Sequence, residues 1–434
     1  MTSMTSMTPA PRTEPPARRA HRSAPAAGAD PRRLPRLLPD GFAAEPACLA
    51  DHLARYGPPP PPAGRRSRRE ELIAEAELAG LAGRGGAGFP TARKLAAVAA
   101  RRHAVVVGNG SEGEPASAKD KVLMAQSPHL VLDGAAVAAD MVGAAEAIIV
   151  AHPAVADIIA AAAAERSRAR LDRVRISVVP AAGRFVAGEA SAVVHWIERG
   201  IAKPRATARR LSERGLHGRP TLVQNVETLA HLALVARYGA AWFRAVGTPA
   251  EPGSMLVTLA GAVADPGVYE VAIGTPVGEI LARGGGPAAP LGALLIGGYF
   301  GDWVDHARAA ALPLSDAGLR PAGAGGSPRA GGLTWRGWTA GSARSARTAA
   351  GASTRTARSG WSPAPCGRSV PRSSCTPAAG ARVPRSGRRC CRSRRGAGDE
   401  AQGRHDRVRR PRAVRRSAAR TTHAGRLGLP DYRA

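Results

Sequence analysis

The sequence predicts an α/β fold with a parallel sheet, followed by a small β-grasp-like module. Both ends of the chain are expected to be disordered. Three observations carry this expectation. Short β-rich apolar runs alternate with longer helical patterns from about residue 68 to 250, the signature of parallel strands joined by crossover helices. Two further strand patterns, a short helix and another strand are then compressed into about 50 residues. Finally, the composition changes abruptly near Gly325.

In chain order, residues 1–35 are rich in Pro, Ala, Arg, Ser and Thr and read as disordered. Residues 36–67 hold a turn, a short helix and five consecutive prolines, Pro58 to Pro62, a stiff spacer. Residues 68–250 form the α/β domain. Its expected elements are a helix over 68–81, strands at 104–108, 147–151 and 174–179, and helices over 128–145, 153–171, 188–197 and 222–246. Residues 251–325 form the β-grasp-like domain, with strands at 255–259, 267–271 and 294–299 and a helix over 276–281.

Residues 326–434 are different in kind. They hold 25 arginines, no lysine and four acids, so most of the net charge of +29 lies there. Seven of these residues are Leu or Val and none is Ile, Phe or Met, too few to form a core. The bias is that of GC-rich coding DNA read out of frame, and a frameshift near Gly325 is expected. The rival is a genuine basic tail, giving a non-enzymatic binding protein whose tail holds nucleic acid non-specifically.

The five cysteines show no Cys-x-x-Cys spacing, which gives no support to a zinc ribbon or redox dithiol. No apolar run is long enough to span a membrane, and no Sec signal is readable. A cytoplasmic location is the default.

Four segments could carry chemistry. The first is Gly83-Arg84-Gly85-Gly86-Ala87-Gly88-Phe89-Pro90-Thr91, with Lys94 beyond it. Four glycines in six residues let backbone N–H groups approach a flat or anionic ligand. Pro90 and Thr91 suit a helix start, Thr91 as its cap, and Lys94 lies about one turn in, near a phosphate held there. The segment spells G-x-G-x-x-G, but no strand precedes it, so the dinucleotide fingerprint is not met.

The second segment is Val107 to Pro115, which holds Asn109, Glu112 and Glu114 just after the first strand, with Lys119 and Asp120 beyond it. An Asn amide matches the edge of a heteroaromatic ring, and carboxylates match sugar hydroxyls. The third is Gly183 to Glu189. The fourth is Pro220 to Thr228, with Gln224-Asn225-Val226-Glu227-Thr228 at its end. Taken singly, each of the last three has an ordinary reading as a turn or a helix cap. Three of the only four lysines, Lys94, Lys119 and Lys121, fall in or beside the first two segments.

In this order and spacing, the four segments resemble the flavin-bearing, NADH-oxidising F-type subunit of respiratory complex I and the related diaphorase subunits. The resemblance covers about residues 72–296. It implies an FMN-binding α/β domain followed by an SLBB-like β-grasp domain. It further implies that Gly83, Arg84, Gly85 and Lys94 hold FMN, and that Asn109, Glu112, Gly188, Glu189, Gln224, Asn225 and Thr228 complete the flavin site. Phe89 and Glu114 match positions near the bound nucleotide. The implied reaction is hydride transfer from NADH to FMN, with electrons passed on to a ferredoxin-like or other iron–sulfur subunit, peripheral to a membrane complex.

There are departures from the family pattern. Ser111 stands for an Asp and Ala190 for a second Glu. Ala97 and Ala206 stand where two further aromatics are expected. A [4Fe–4S] cluster is expected from the resemblance, but its cysteine run is not found.

Overall fold

A computed structural model describes residues 30–40, 45–206, 209–322 and 332–337. The expectations for the extreme N-terminus and for the arginine-rich tail lie outside the described residues.

The first domain has a four-stranded parallel sheet, β1 Val105–Gly110, β2 Glu146–Ala151, β3 Arg175–Pro180 and β4 Thr221–Asn225, in the order β3-β2-β1-β4. Its helices are α1 Leu49–Tyr56, α2 Arg66–Leu78, α3 Thr91–Ala99, α4 Lys119–Gln126, α5 Pro128–Val142, α6 Pro153–Arg168, α7 Ala190–Arg199, α8 Val226–Tyr238 and the short α9 Ala240–Phe243.

Both faces of the sheet are covered, as its two-sided apolar strands require. Val106, Ile149 and Leu222 face a core shared with α5, α6 and α8. Val105, Val107, Ile148, Val150 and Val223 face a smaller one shared with α7. Where α5 meets α8 the backbones touch. A Cβ on Gly134 would lie 2.0 Å from the Leu229 carbonyl oxygen, so no larger residue fits that crossing.

The expected helix over 222–246 is corrected by the structure. Its first residues are the strand β4, paired with β1 from Val105 opposite Thr221 to Asn109 opposite Asn225. A short apolar run cannot be assigned by periodicity alone. The decision falls to Asn225, whose side-chain oxygen accepts the Glu227 N–H at 3.0 Å and starts α8 only there. Gly239, at φ +87, then separates α8 from α9. The helix α4 was not expected. Thr91 is the first residue of α3 rather than its cap, and its hydroxyl is buried with no hydrogen bond.

The second domain pairs β5 Ser254–Gly261 antiparallel with β6 Gly267–Ala272, followed by the helix α10 Val277–Arg283. Strands β7 Leu291–Ile296, β8 Asp302–Asp305 and β9 Gly332–Gly337 complete a sheet of order β6-β5-β9-β7-β8. The expected strand over 294–299 ends at Ile296, because Gly297 and Gly298 turn with positive φ into a short 3-10 helix. Met255, Val257 and Leu259 face this domain's own core with Ile280 and Leu294. Leu256 faces the first domain's core instead.

Hydrogen bonds reinforce that junction. Glu227 Oε1 accepts the Leu256 N–H at 2.9 Å, and Thr258 Oγ1 accepts the Ala118 N–H at 3.0 Å. Glu270 accepts the Arg36 and Leu37 N–H groups at 2.7 Å each, tying the N-terminal segment to β6.

Candidate functional site

Strand β1 lies between β2 and β4, and the chain runs outward from it in both directions. The carboxyl ends of β1 and β4 therefore flank a topological switch point, where open α/β sheets leave a crevice for ligands. The second and fourth sequence segments end up side by side there, since Asn109 pairs with Asn225 and Gly108 with Gln224.

The glycine segment joins them. It is closed as a loop by the Gly83 N–H on the Phe89 carbonyl and the Thr91 N–H on the Leu81 carbonyl, both 2.9 Å. Gly86 and Gly88 sit at φ +106 and +59, where a side chain would be strained. The Arg84 N–H donates to Thr228 Oγ1 at 2.8 Å, and a Cβ on Gly85 would meet Asn225 Cβ at 3.2 Å. The loop thus rests on the start of α8. The Arg84 side chain is buried, with Nη1 and Nη2 donating to the Ala82 and Pro252 carbonyls. Lys94 Nζ lies 3.5 Å from the Val223 carbonyl and 5.8 Å from the centre of the Phe89 ring. Burial lowers the Lys94 pKa below that of an ordinary lysine.

The third segment is brought in by Asn109, whose Nδ2 donates to the Gly188 carbonyl at 2.8 Å. Its Oδ1 accepts from Ser111, from the N–H at 3.2 Å and the hydroxyl at 2.8 Å. Glu189 is the residue just before α7, and its carboxylate accepts the Ser191 and Ala192 N–H groups at 2.8 and 3.1 Å. That is a helix cap.

Glu112 also works inside the protein. At φ +43 it turns its carboxylate onto the Asp120 and Lys121 N–H groups, both 2.9 Å, and the Ser117 hydroxyl at 2.7 Å, so it caps α4. Glu114 takes the Ala116 N–H on one oxygen and the Tyr299 N–H, from the second domain, on the other.

Gln224 is different. Its side chain is 3% exposed, and Nε2 has no hydrogen-bond partner. A buried amide without a partner is costly unless a ligand or water meets it. Gln224 sits at the carboxyl end of β4 and Asn225, the next residue, packs against the glycine loop. This orphaned donor and the glycine-rich loop fit the polar edge and flat face of a heteroaromatic group.

Sequence reasoning singled out Lys119, Asp120 and Glu227, but not the buried charge cluster that they form. Lys119 Nζ lies 2.7 Å from Asp120 Oδ1 and 2.9 Å from Glu227 Oε2. Asn225 Nδ2 donates to Asp120 Oδ2 at 2.7 Å. Burial pulls the Lys119 pKa down, but the two carboxylates outweigh it and hold the ammonium more strongly charged than usual. Burial also opposes ionisation of Glu227, yet Lys119 brings its pKa down to about 2. Asp120 goes the other way. Burial pushes it up to about 6, with Lys119 only partly compensating. The retained lysine was the sequence signal for this cluster. The Tyr299 contact had none, being 185 residues from Glu114.

Among the described residues, no group of His, Cys, Asp or Glu is arranged to hold a metal ion. Cys48 is an exposed thiol, and the other cysteines lie outside the described residues. No single helix among the described residues is long and apolar enough to cross a membrane.

The chain is similar to known proteins in sequence and in fold. Residues 76–234 match the Nuo51 FMN-binding domain, and residues 256–295 match the SLBB domain. The chain is 33% identical over 233 residues to an F-type subunit of the NADH-quinone oxidoreductase of Rhizobium meliloti, covering 50% of this chain and 55% of that protein. It is 34% identical over 254 residues to the alpha subunit of the NAD-reducing hydrogenase HoxS of Cupriavidus necator, covering 55% and 42%. A crystal structure of NAD+-reducing [NiFe]-hydrogenase in the air-oxidized state superposes with a TM-score of 0.56 at 32% identity, covering 64% of this chain and 47% of that one. The chain spans about half the length of the curated relatives it matches. In fold and sequence, the first domain is thus similar to the Nuo51 FMN-binding domain and the second to the SLBB domain.

Proposed function

We propose that this chain is the flavoprotein subunit of an NADH-oxidising oxidoreductase, with FMN at the switch point between β1 and β4. The observation that carries this reading is the partnerless Nε2 of Gln224 at the carboxyl end of β4, one residue before the Asn225 that meets the glycine loop. The family match and the names of the relatives support it.

In this reading the Gly83–Gly88 backbone and Gln224 Nε2 would hold the flavin ring, and Lys94 would balance the charge of its phosphate. Asn109, Gly188 and Glu189 fix the loop after β1 against α7, and Asn225 and Thr228 hold the glycine loop in place. Glu112 shapes the turn that presents Glu114 and, through it, the nucleotide. FMN, when bound, supplies the acceptor for a hydride from NADH. The protein's part is orientation and exclusion of water, and the hydride step needs no acid or base from the chain. A partner subunit would supply the iron–sulfur or quinone-type acceptor for the electrons. The location is cytoplasmic, peripheral to any membrane complex.

The test is reconstitution of the full chain with FMN, followed by anaerobic titration with NADH and with NADPH. Stoichiometric FMN binding and bleaching of the flavin band by NADH are expected. Protein that stays colourless after reconstitution, or a flavin band that neither nucleotide bleaches, sinks the reading.

A further inference from the structure

The second domain grips the loop after β1 at two points. Thr258 Oγ1 on β5 accepts the Ala118 N–H at 3.0 Å, and the Tyr299 N–H donates to Glu114 Oε2 at 3.0 Å. The second bond comes from a turn whose backbone has little freedom. Gly297 and Gly298 sit at φ +97 and +74, and the Gly301 N–H donates to the Gly298 carbonyl at 2.9 Å. A Cβ on Gly301 would lie 2.0 Å from the Ile296 carbonyl oxygen, and one on Gly298 would lie 2.8 Å from the Glu114 carboxyl carbon. Glycine at these positions lets the turn close on itself and on that carboxylate.

Glu114 is half-buried. Each of its oxygens takes one N–H, from Ala116 in its own loop and from Tyr299 across the domain boundary. A carboxylate oxygen has a second lone pair, so both oxygens keep an acceptor site while the backbone sets their direction. A carboxylate held in this way accepts a sugar hydroxyl without first losing rotamer freedom. We infer that the Gly298–Tyr299 turn is the positioning element for Glu114, so that the second domain sets the affinity for the nucleotide's ribose independently of the flavin. This rests on the functional reading above, which puts Glu114 at the nucleotide.

The experiment uses the full chain reconstituted with FMN. Flavin content, thermal unfolding and steady-state kinetics with NADH are measured for each variant. Gly298→Ala pushes a methyl group against the Glu114 carboxylate. It raises the KM for NADH roughly tenfold, while flavin content and kcat hold, the mark of lost uniform binding. Gly286→Ala is the control. Its φ is +79 and a Cβ there meets no atom within 4 Å, so it carries similar backbone strain without the contact and leaves KM unchanged. Glu114→Ala raises KM as much as Gly298→Ala does, and the double variant goes no further. A KM unchanged in Gly298→Ala, raised equally in Gly286→Ala, or raised further in the double variant overturns the positioning role and leaves the flavin reading standing. If Gly298→Ala does not fold, Glu114→Ala tests the bond from the other side, through hydrogen exchange at the Tyr299 amide. Faster exchange is expected, and an unchanged rate overturns the role. A wild-type protein that binds no FMN, or whose flavin NADH does not reduce, overturns the functional reading and the positioning role with it.

Discussion

The backbone N–H of Arg84 donates to the hydroxyl of Thr228 at 2.8 Å, joining the glycine loop to α8 across 144 residues. Both residues are buried, so the bond has no water to replace it. Thr228→Val keeps the shape and leaves a buried N–H unpaired, at a cost of about 1–3 kcal/mol. The expected outcome is a lower unfolding temperature and weaker FMN binding, with Thr228→Ser close to wild type. Equal behaviour of the Val and Ser variants in thermal unfolding would show that the bond does not hold the loop.

Gln224 predicts the opposite pattern. Replacing a buried, partnerless amide by an apolar group of similar size leaves the ligand-free protein as stable as before, or more so. Gln224→Leu is therefore expected to keep or raise the unfolding temperature of the flavin-free protein while weakening FMN about tenfold. The pair of numbers is the check. A variant that binds FMN as tightly as wild type removes Gln224 from the flavin site.

Lys119 balances Asp120 and Glu227 inside the protein. Lys119→Met leaves two buried carboxyl groups without their cation, a loss of about 3–5 kcal/mol. Urea unfolding should show it as a lower midpoint with an unchanged slope. Because Glu227 also holds the Leu256 N–H, the strand β5 should become more accessible to hydrogen exchange in this variant. A loss below about 1 kcal/mol would mean that water reaches the cluster.

Two histidines set the acid limb of stability. Burial is the main cause that brings His231 and His129 down to about 4. For His231 the Glu227 carboxylate, 3.8 Å away, only partly compensates. In the unfolded chain a histidine takes up its proton near about 6.5, whereas in the folded protein it does so only near 4. Between these values the unfolded state binds more protons, so stability falls as pH drops from about 6.5 to 4. Unfolding temperatures across that range should fall, and His231→Gln should flatten the slope. Asp120, raised to about 6, works in the opposite sense below that pH, so the check is the difference between variants: a His231→Gln slope as steep as that of wild type would contradict the burial of that ring.

The sequence by itself determined a good deal. The alternation of apolar runs placed β1, β2, β3, α5 and α6, because strand and helix periods are local properties of the chain. The glycine segment showed where the backbone could approach a ligand, because the absence of a Cβ is written in the residue type. The four segments in order pointed to the FMN-binding family and to the small domain after it.

Tertiary structure decided the rest. Whether Thr221–Asn225 became a strand depended on β1 being there to pair with it. Whether a carboxylate or amide faced inward or toward a ligand depended on which N–H groups the fold placed near it. Glu112 and Glu189 closed on the first turns of α4 and α7, whereas Gln224 was left with nothing. The contact of Tyr299 with Glu114 exists only because two domains pack together. Hydrogen bonds reach about 3 Å, and no local pattern in a sequence states which residues will come that close from more than a hundred positions away.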